Sequence, residues 1–434
     1  MRIYADLQIH SRFSGATSEK MTLREIAYFA RLKGLNLVGT GDALHPGWLK
    51  ELKTELTQLA DSGFYTLRDD SSTPLFVCQT EIATVHEYDK KTRRIHHVIL
   101  MPSLEIAEQL SEILNKFGDI SADGRPVLNI SPAEAVEVVM GLSQYNFIFP
   151  AHAWTPWWSI FGAIGGVNRI EECYEDMTRY IYAIETGLSS DPPMNWRISW
   201  LDRYILLSSS DSHSPYPFRL GREAVVFELK RPNYQEMIEA MRNRDASKVL
   251  MTLEVPPSYG KYHWSGHRRC GVGPIPPSEA QKLNYRCPKC GRRLTKGVED
   301  RVEELADREM GYRPKGAIDF KYILPLQELI ALSLGIDYTI ESRLQSKKIW
   351  DIYIKLVNKL GPEYEILLNI PLNEIASIGG HGIAELIRKM RSNELKIIPG
   401  FDGVYGKLII NEKNAYSRQH RKNVTDHQLE DYFA

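Results

Sequence analysis

Cysteine is scarce, five in 434 residues, and three of the five (Cys270, Cys287, Cys290) fall within 21 residues. That distribution excludes a secreted disulfide framework, and Cys78 and Cys173 are expected as buried thiols. No apolar run reaches the roughly 18 residues of a spanning helix, which excludes a transmembrane segment of that kind. The opening MRIYADLQIH places an acid where a signal peptide needs apolar residues, so a cytoplasmic protein is expected. A P-loop, a dinucleotide fingerprint and an internal repeat are also missing from the sequence. Net charge is nearly absent, at -1. The balance hides an asymmetry: residues 1–254 carry 26 Lys and Arg against 33 Asp and Glu, residues 255–434 carry 28 against 22. An acidic half is joined to a basic one.

What the sequence does contain is a series of metal-type side chains, each at or just past the end of a short apolar run. LNLVGT precedes Asp42 and His45, LFVCQT precedes Glu81, NFIFPA precedes His152 and YILLSSS precedes Asp211 and His213, while His10 and His97 follow similar runs. Between several of them lie stretches such as TLREIAYFARLKG and SPAEAVEVVMGL with helical apolar spacing. Thr22 with Glu25 and Ser131 with Glu134, the latter followed by Pro132, have capping-box spacing and mark helix starts. Strands alternating with helices imply a barrel or open sheet of parallel strands, in which residues remote in sequence converge at the carboxyl ends of the strands. Imidazole and carboxylate ligands together suit zinc, manganese or iron, and a multi-metal site suits phosphate ester hydrolysis.

These segments, Asp6-Leu-Gln8-Ile-His10, Gly41-Asp42-Ala-Leu-His45, Thr80-Glu81, His97-Val-Ile-Leu, Ala151-His152 and Ser210-Asp211-Ser-His213, resemble in order the motifs of the PHP (polymerase and histidinol phosphatase) family. The resemblance covers about the first 220 residues. It implies an α/β fold, a distorted (βα)7 barrel, holding up to three divalent metals (Zn, Mn, Mg or Fe) on Gln8, His10, Asp42, His45, Glu81, His97, His152, Asp211 and His213. The family's first motif is usually His-x-His, and Gln8 stands in the first position here. An amide oxygen binds zinc less strongly than imidazole. His96 competes with His97, but His97 fits the motif, and strand alternation sends the two to opposite faces. Glu185, at the end of a further apolar run, is a candidate to position water.

Near Val255 the composition turns to Pro and Gly, and His267-x-x-Cys270 is followed sixteen residues later by Cys287-x-x-Cys290. Four such ligands close a tetrahedron around a structural zinc, with His263 as a competing ligand. Arg268, Arg269, Arg286, Lys289, Arg292 and Arg293 are interleaved with them and suit a phosphate backbone. Trp154, Trp157 and Trp158, just beyond His152, could stack on bases or enclose an everted nucleotide. The expected divisions are a phosphoesterase domain (1–254), a zinc module (255–298), a helical DNA-binding domain (299–410) and a flexible tail (411–434). Ile378 to Gly382 resembles a degenerate helix-hairpin-helix turn. Leu429, Tyr432 and Phe433 in the tail resemble the PIP box that docks on a sliding clamp such as PCNA.

In this order the modules are similar, over most of the chain, to a family of archaeal DNA-repair endonucleases. That resemblance implies damaged DNA as substrate, nicked 5′ to deaminated bases (uracil, hypoxanthine, xanthine) and abasic sites. Two other readings stand beside it: a histidinol-phosphatase-like enzyme for small molecules, and a non-catalytic DNA or clamp adaptor.

Overall fold

The apolar runs become strands and the amphipathic stretches become helices, in a computed structural model that describes residues 1–60, 62–70 and 74–409. The strands are β1 (Arg2–Asp6), β2 (Leu37–Gly39), β3 (Leu75–Tyr88), β4 (Lys91–Met101), β5 (Phe147–Pro150), β6 (Ala183–Glu185) and β7 (Ile205–Leu207). Helix α1 (Leu23–Lys33) starts at Thr22, whose hydroxyl accepts from the Glu25 amide, and stops at Gly34 with φ 96°. α2 (Pro46–Glu55) and α3 (Leu104–Leu114) follow. In α4 (Pro132–Leu142) the Ser131–Glu134 capping box is reciprocal, whereas at Thr22 the hydroxyl-to-amide half is the one formed.

β1, β2 and β3 pair in parallel, but β3 and β4 form a long antiparallel hairpin and β4 pairs antiparallel with β5. The sheet is therefore mixed, where parallel strands were expected. β6 and β7 pair in parallel, and bonds past the strand ends lace this pair to the rest. The Ala153 amide donates to the Glu185 carbonyl, the Asp211 amide to Gln8 and the His10 amide to Ser212. The Asp6 carboxylate, fully buried, accepts from the amide and hydroxyl of Ser210 and the Gly221 amide. The carboxyl ends of β1 and β7 are thereby drawn together.

β8 (Ala224–Glu228) and β9 (Val249–Glu254) extend the sheet on the far side of β1. β10 (Asp319–Tyr322), from beyond the zinc module, pairs with β9 in parallel, so the expected boundaries at 254 and 298 do not divide the sheet. Helices α5 (Val298–Leu305), α6 (Leu326–Ser333), α7 (Lys347–Leu360), α8 (Glu363–Leu368), α9 (Leu372–Gly379) and α10 (His381–Arg391) fill about half of the segment expected to be helical, with β10 and a hairpin (Lys396–Ile398, Lys407–Ile409) as additions. α7 buries Ile349, Tyr353, Leu356 and Val357, one stripe at helical spacing. No helix of the described residues is long and apolar enough to cross a membrane. The tail with Leu429, Tyr432 and Phe433 lies outside the described residues.

The C-terminal helices are welded to the sheet domain through charge. Lys33, at the end of α1, and Glu363, at the start of α8, are both wholly buried with Nζ and Oε1 2.7 Å apart. Lys33 also donates to the Pro217 carbonyl, while Glu363 accepts from the Leu326 amide and the Tyr353 hydroxyl. Every oxygen and the ammonium are thus satisfied across the junction. Replacing Glu363 with Ala strands a buried ammonium and is expected to cost about 3–5 kcal/mol; a urea midpoint equal to the wild type's would show that this junction does not hold the helices.

A second buried pair behaves differently. Glu223 accepts from Ser208 and the Val255 amide, and Glu254 from Thr186. Burial, then neighbouring acids such as Asp191, pushes Glu254 up from 4.5 to about 8. A native acid with a raised pKa keeps its proton after the unfolded chain has lost its own, so stability falls as pH rises from 4.5 to about 8. Glu254→Gln, which mimics the protonated acid, should flatten that fall in a series of urea midpoints; an unchanged slope would mean other groups cause it.

Candidate metal centre

Five strands deliver two groups of donors that share a border, from just past the ends of β1, β5 and β7 and from within the β3–β4 hairpin. His10, Asp211 and His213 form one, and Glu81, His96 and His152 the other, with the donor atoms of each within 4.8 Å of one another. His10 joins them, its Nε2 lying 2.9 Å from Glu81 Oε2 and 3.1 Å from Asp211 Oδ1. Asp42, His152 and Asp211 hold φ of 43°, 29° and 49°. Such left-handed backbone costs a non-glycine residue about 1–3 kcal/mol and gathers at functional sites. Gly41, with φ 67°, is required beside them, because a Cβ there would sit 2.9 Å from the His10 carbonyl carbon.

Three expected ligands are placed elsewhere. His96 pairs with Ala83 and His97 with Ile82 across the β3–β4 hairpin, so alternation puts His96, not His97, on the Glu81 face. His96 Nδ1 lies 2.7 Å from Glu81 Oε1. His97 faces away, bonded to Thr84 and to the Tyr174 hydroxyl, and burial depresses it to about 3. Asp42 stands behind His10 rather than among the donors: Oδ1 accepts from Nδ1 at 3.0 Å, and Oδ2 from the amide and hydroxyl of Ser11. It fixes the ring so that Nε2 faces the cluster, the usual role of a carboxylate behind a ligating imidazole. His45 caps α2 through the Trp48 amide, donates to the Ser121 carbonyl and stacks on Phe13. The tight turn after Asp42 carries it into the helix cap.

The donors present fit divalent cations. Both oxygens of Glu81 are buried against imidazole nitrogens at 2.9 and 2.7 Å, and both polar side-chain atoms of Gln8 and Oε1 of Glu185 are buried without hydrogen-bond partners. A buried polar atom left so costs roughly 1–3 kcal/mol, which cations coordinated there would offset. Burial alone would lower His10, but Asp42, Asp211 and Glu81 outweigh it and hold the ring well above its ordinary value. Glu81 is held well below the carboxylate range, because His96 and Arg125 overcome its burial. Glu185 accepts from the His152 amide at 2.8 Å, yet burial pushes it up to about 8. Arg125, 3.6 Å from Glu81 Oε2, was not anticipated.

The cluster opens on a cleft of about 760 Å³ with Trp157 and Trp158 on its wall and Arg219, Arg222 and Lys261 among its lining. Trp157 is exposed and meets Tyr262 edge-on, and Trp158 leans on His96. Trp154 is no part of this surface: it is fully buried on Phe161, with its indole N–H donating to Asn195. The aromatic loop is gripped by Arg93 through the Gly166 carbonyl, and by Arg301 through Phe161, Val167 and Asn168.

His267, Cys270, Cys287 and Cys290 also place their donor atoms within 4.8 Å of one another. The Cys287 amide donates to Arg292 and the Gly291 amide, at φ 69°, to Cys287, which is the turn the second pair needs. His263 lies apart, 3.9 Å from Glu299. All six basic residues of the module are exposed, and Arg286 and Lys289 also brace it by donating to Gly291 and Cys270. In the helical segment α9 and α10 meet at Gly380, φ 96°.

The family described as MJ0043 C-terminal domain matches residues 325–394. The crystal structure of a lesion-specific endonuclease, endonuclease Q of Pyrococcus furiosus, is 33% identical with a TM-score of 0.83, and the match covers 98% of this chain and 100% of that one. An endonuclease Q complex with a 27-mer duplex carrying an abasic lesion at the active site is 34% identical, with the same TM-score and coverage. Uncharacterized protein MJ0043 of Methanocaldococcus jannaschii is 31% identical over 262 residues, 59% of this chain, which spans only 31% of that relative's length.

Cys287→Ser should release one zinc per chain and weaken affinity for duplex DNA, as read by elemental analysis and fluorescence anisotropy. Unchanged zinc content would refute the four-ligand site.

Proposed function

The chain belongs to the endonuclease Q family, and from that premise we propose a lesion-specific endonuclease that cuts DNA 5′ to uracil, hypoxanthine, xanthine and abasic sites. It is a metal-dependent hydrolase of DNA repair. The observation that supports the finer reading is the joined pair of donor groups on the floor of a cleft walled by Trp157 and Trp158. In our reading the first domain is the distorted (βα)7 barrel of the PHP family.

Divalent cations at the site would supply Lewis-acid activation of the phosphate and of water. His10, locked by Asp42, and His96, His152, Asp211 and His213 would hold them with Glu81, while Gln8 offers an amide oxygen. In hydrolysis a water oxygen adds to the phosphorus 5′ to the lesion and the bond to the upstream O3′ breaks in line. That oxygen takes up a proton, leaving a 3′-hydroxyl and a 5′-phosphate. Glu185, buried with one oxygen unpartnered and a pKa near 8, is placed to orient the water or hold its proton. Selectivity comes from eversion: a mispaired or missing base costs less to unstack, and Trp157 and Trp158 offer faces to the everted nucleotide. The exposed cations of the zinc module grip the backbone without reading sequence. Through Leu429, Tyr432 and Phe433 the tail engages a sliding clamp.

A small-molecule phosphatase would leave the aromatic wall and basic module without a task. An adaptor would leave the buried polar atoms of Gln8 and of Glu185 Oε1 unsatisfied.

The deciding measurement is a denaturing gel of metal-reconstituted protein with labelled duplexes, undamaged or carrying one uracil, hypoxanthine, xanthine or abasic site. A nick on the 5′ side, dependent on the lesion and lost in Asp211→Asn while DNA binding persists, is expected. Turnover of a soluble monoester without any nick would favour the phosphatase.

A further inference from the structure

One cation at the cluster, Arg125, has entered so far only as a charge that helps to hold Glu81 ionised. Arg125 leaves the loop between α3 and the short strand Val127–Leu128, and that loop is pinned at every turn. The Ala83 amide donates to the Pro126 carbonyl, and Val127–Leu128 pairs with β3 two residues beyond Glu81. The Asp123 carboxylate accepts from the amides of Gly15 and of Arg125 itself. Gly124 donates to the Phe13 carbonyl and is pressed so closely on the Asp42 carboxylate that a Cβ would lie 2.4 Å from Oδ2. The backbone of Arg125 is thus locked to Asp42 and to the Glu81 strand.

Its guanidinium is 28% exposed and ends 3.6 Å from Glu81 Oε2, longer than a hydrogen bond. Among the described residues that side chain donates no hydrogen bond. It shares the neutralising of Glu81 with three imidazoles that lie closer, His10 at 2.9 Å, His96 at 2.7 Å and His152 at 3.4 Å. The ion pair with Glu81 sets the guanidinium beside the joined donor groups. A planar fork of N–H donors on a pinned backbone, making no hydrogen bond of its own, fits two oxygens of a phosphate bound at that cluster.

We propose that Arg125 is a catalytic residue whose guanidinium holds the non-bridging oxygens of the scissile phosphate, resting on the phosphodiesterase reading of this site. Those oxygens gather charge as the water oxygen bonds to phosphorus and the bond to O3′ lengthens. The contact therefore strengthens in the transition state, and Arg125 gives up no proton.

The test compares wild type with Arg125→Ala and Arg125→Lys as metal-loaded, full-length proteins on a lesion duplex and on bis(p-nitrophenyl) phosphate. Loss of one fixed donor of this type typically lowers kcat by about 100- to 1000-fold. That fall is expected for Arg125→Ala on both substrates, with metal content and lesion-duplex affinity unchanged and a smaller fall for Arg125→Lys. Added guanidinium ion should restore turnover in Arg125→Ala, saturably, and inorganic phosphate should bind the variant at least tenfold more weakly in calorimetry. An unaltered kcat, a rate loss that tracks lost metal, or equal phosphate affinity would each overturn the proposal. Should wild type leave lesion DNA intact yet hydrolyse the model diester, the lesion reading falls while Arg125 is still tested; phosphate affinity decides if neither is turned over.

Discussion

Buried like charge is the constraint around which this molecule is built. Buried Glu81, Glu185 and Asp42 and the part-exposed Asp211 converge on four imidazoles at strand ends and within the β3–β4 hairpin, with Arg125 beside Glu81. Carboxylates removed from water must be paired, protonated or coordinated. Pairing and protonation are both used: Asp42 is paired with His10, Glu185 keeps its proton to about 8, and Glu81 and Asp211 stay ionised beside cationic neighbours. The left-handed turns at Asp42, His152 and Asp211 are strain that this arrangement keeps in place. Deeper in the fold, Asp6 spends its oxygens on Ser210 and Gly221, holding β7 against β1 so that Asp211 and His10 can meet.

The two other functional elements are mechanically joined to this centre. Trp158 accepts through its carbonyl from the His96 amide, so the cleft wall and a donor move as one. Ser265, on the strand that ends at His267, donates to Asp300, and the next residue, Arg301, grips the aromatic loop by three acceptors. Only a few bonds therefore separate the zinc ligands from the tryptophans. The basic face of the module and the cleft are parts of one frame.

The structure brings together those candidates that stood alone on their element: His10, Glu81, His152, Asp211 and His213, and in the second half the His-Cys-Cys-Cys set. It departs from the expected grouping where two candidates shared an element. His96 and His97 differ only in hairpin register, which depends on where β3 and β4 pair. Asp42 and His45 share one turn, and the helix that begins after it claimed the histidine as a cap. Trp154 and Trp157 stand in one loop, and which of them is buried was decided by Phe161 in the same loop and by Asn195, 41 residues on. Arg125 carried no signal at all, since a lone arginine in a loop has no periodicity or motif.

By itself the sequence determined the order of strands and helices, the metal-type side chains beside the apolar runs, the His-Cys-Cys-Cys spacing and the change from an acidic to a basic half. These are local properties: apolar period, capping and ligand spacing are written within a few residues and need no partner. Only the tertiary structure decided the antiparallel β3–β4 hairpin, the pairing of β10 with a sheet more than sixty residues behind it, the Lys33–Glu363 junction and the position of Arg125 over Glu81. Each of these joins groups distant in sequence. Their energies come from burial and from charges brought within a few ångströms, and those appear only when the chain has closed on itself.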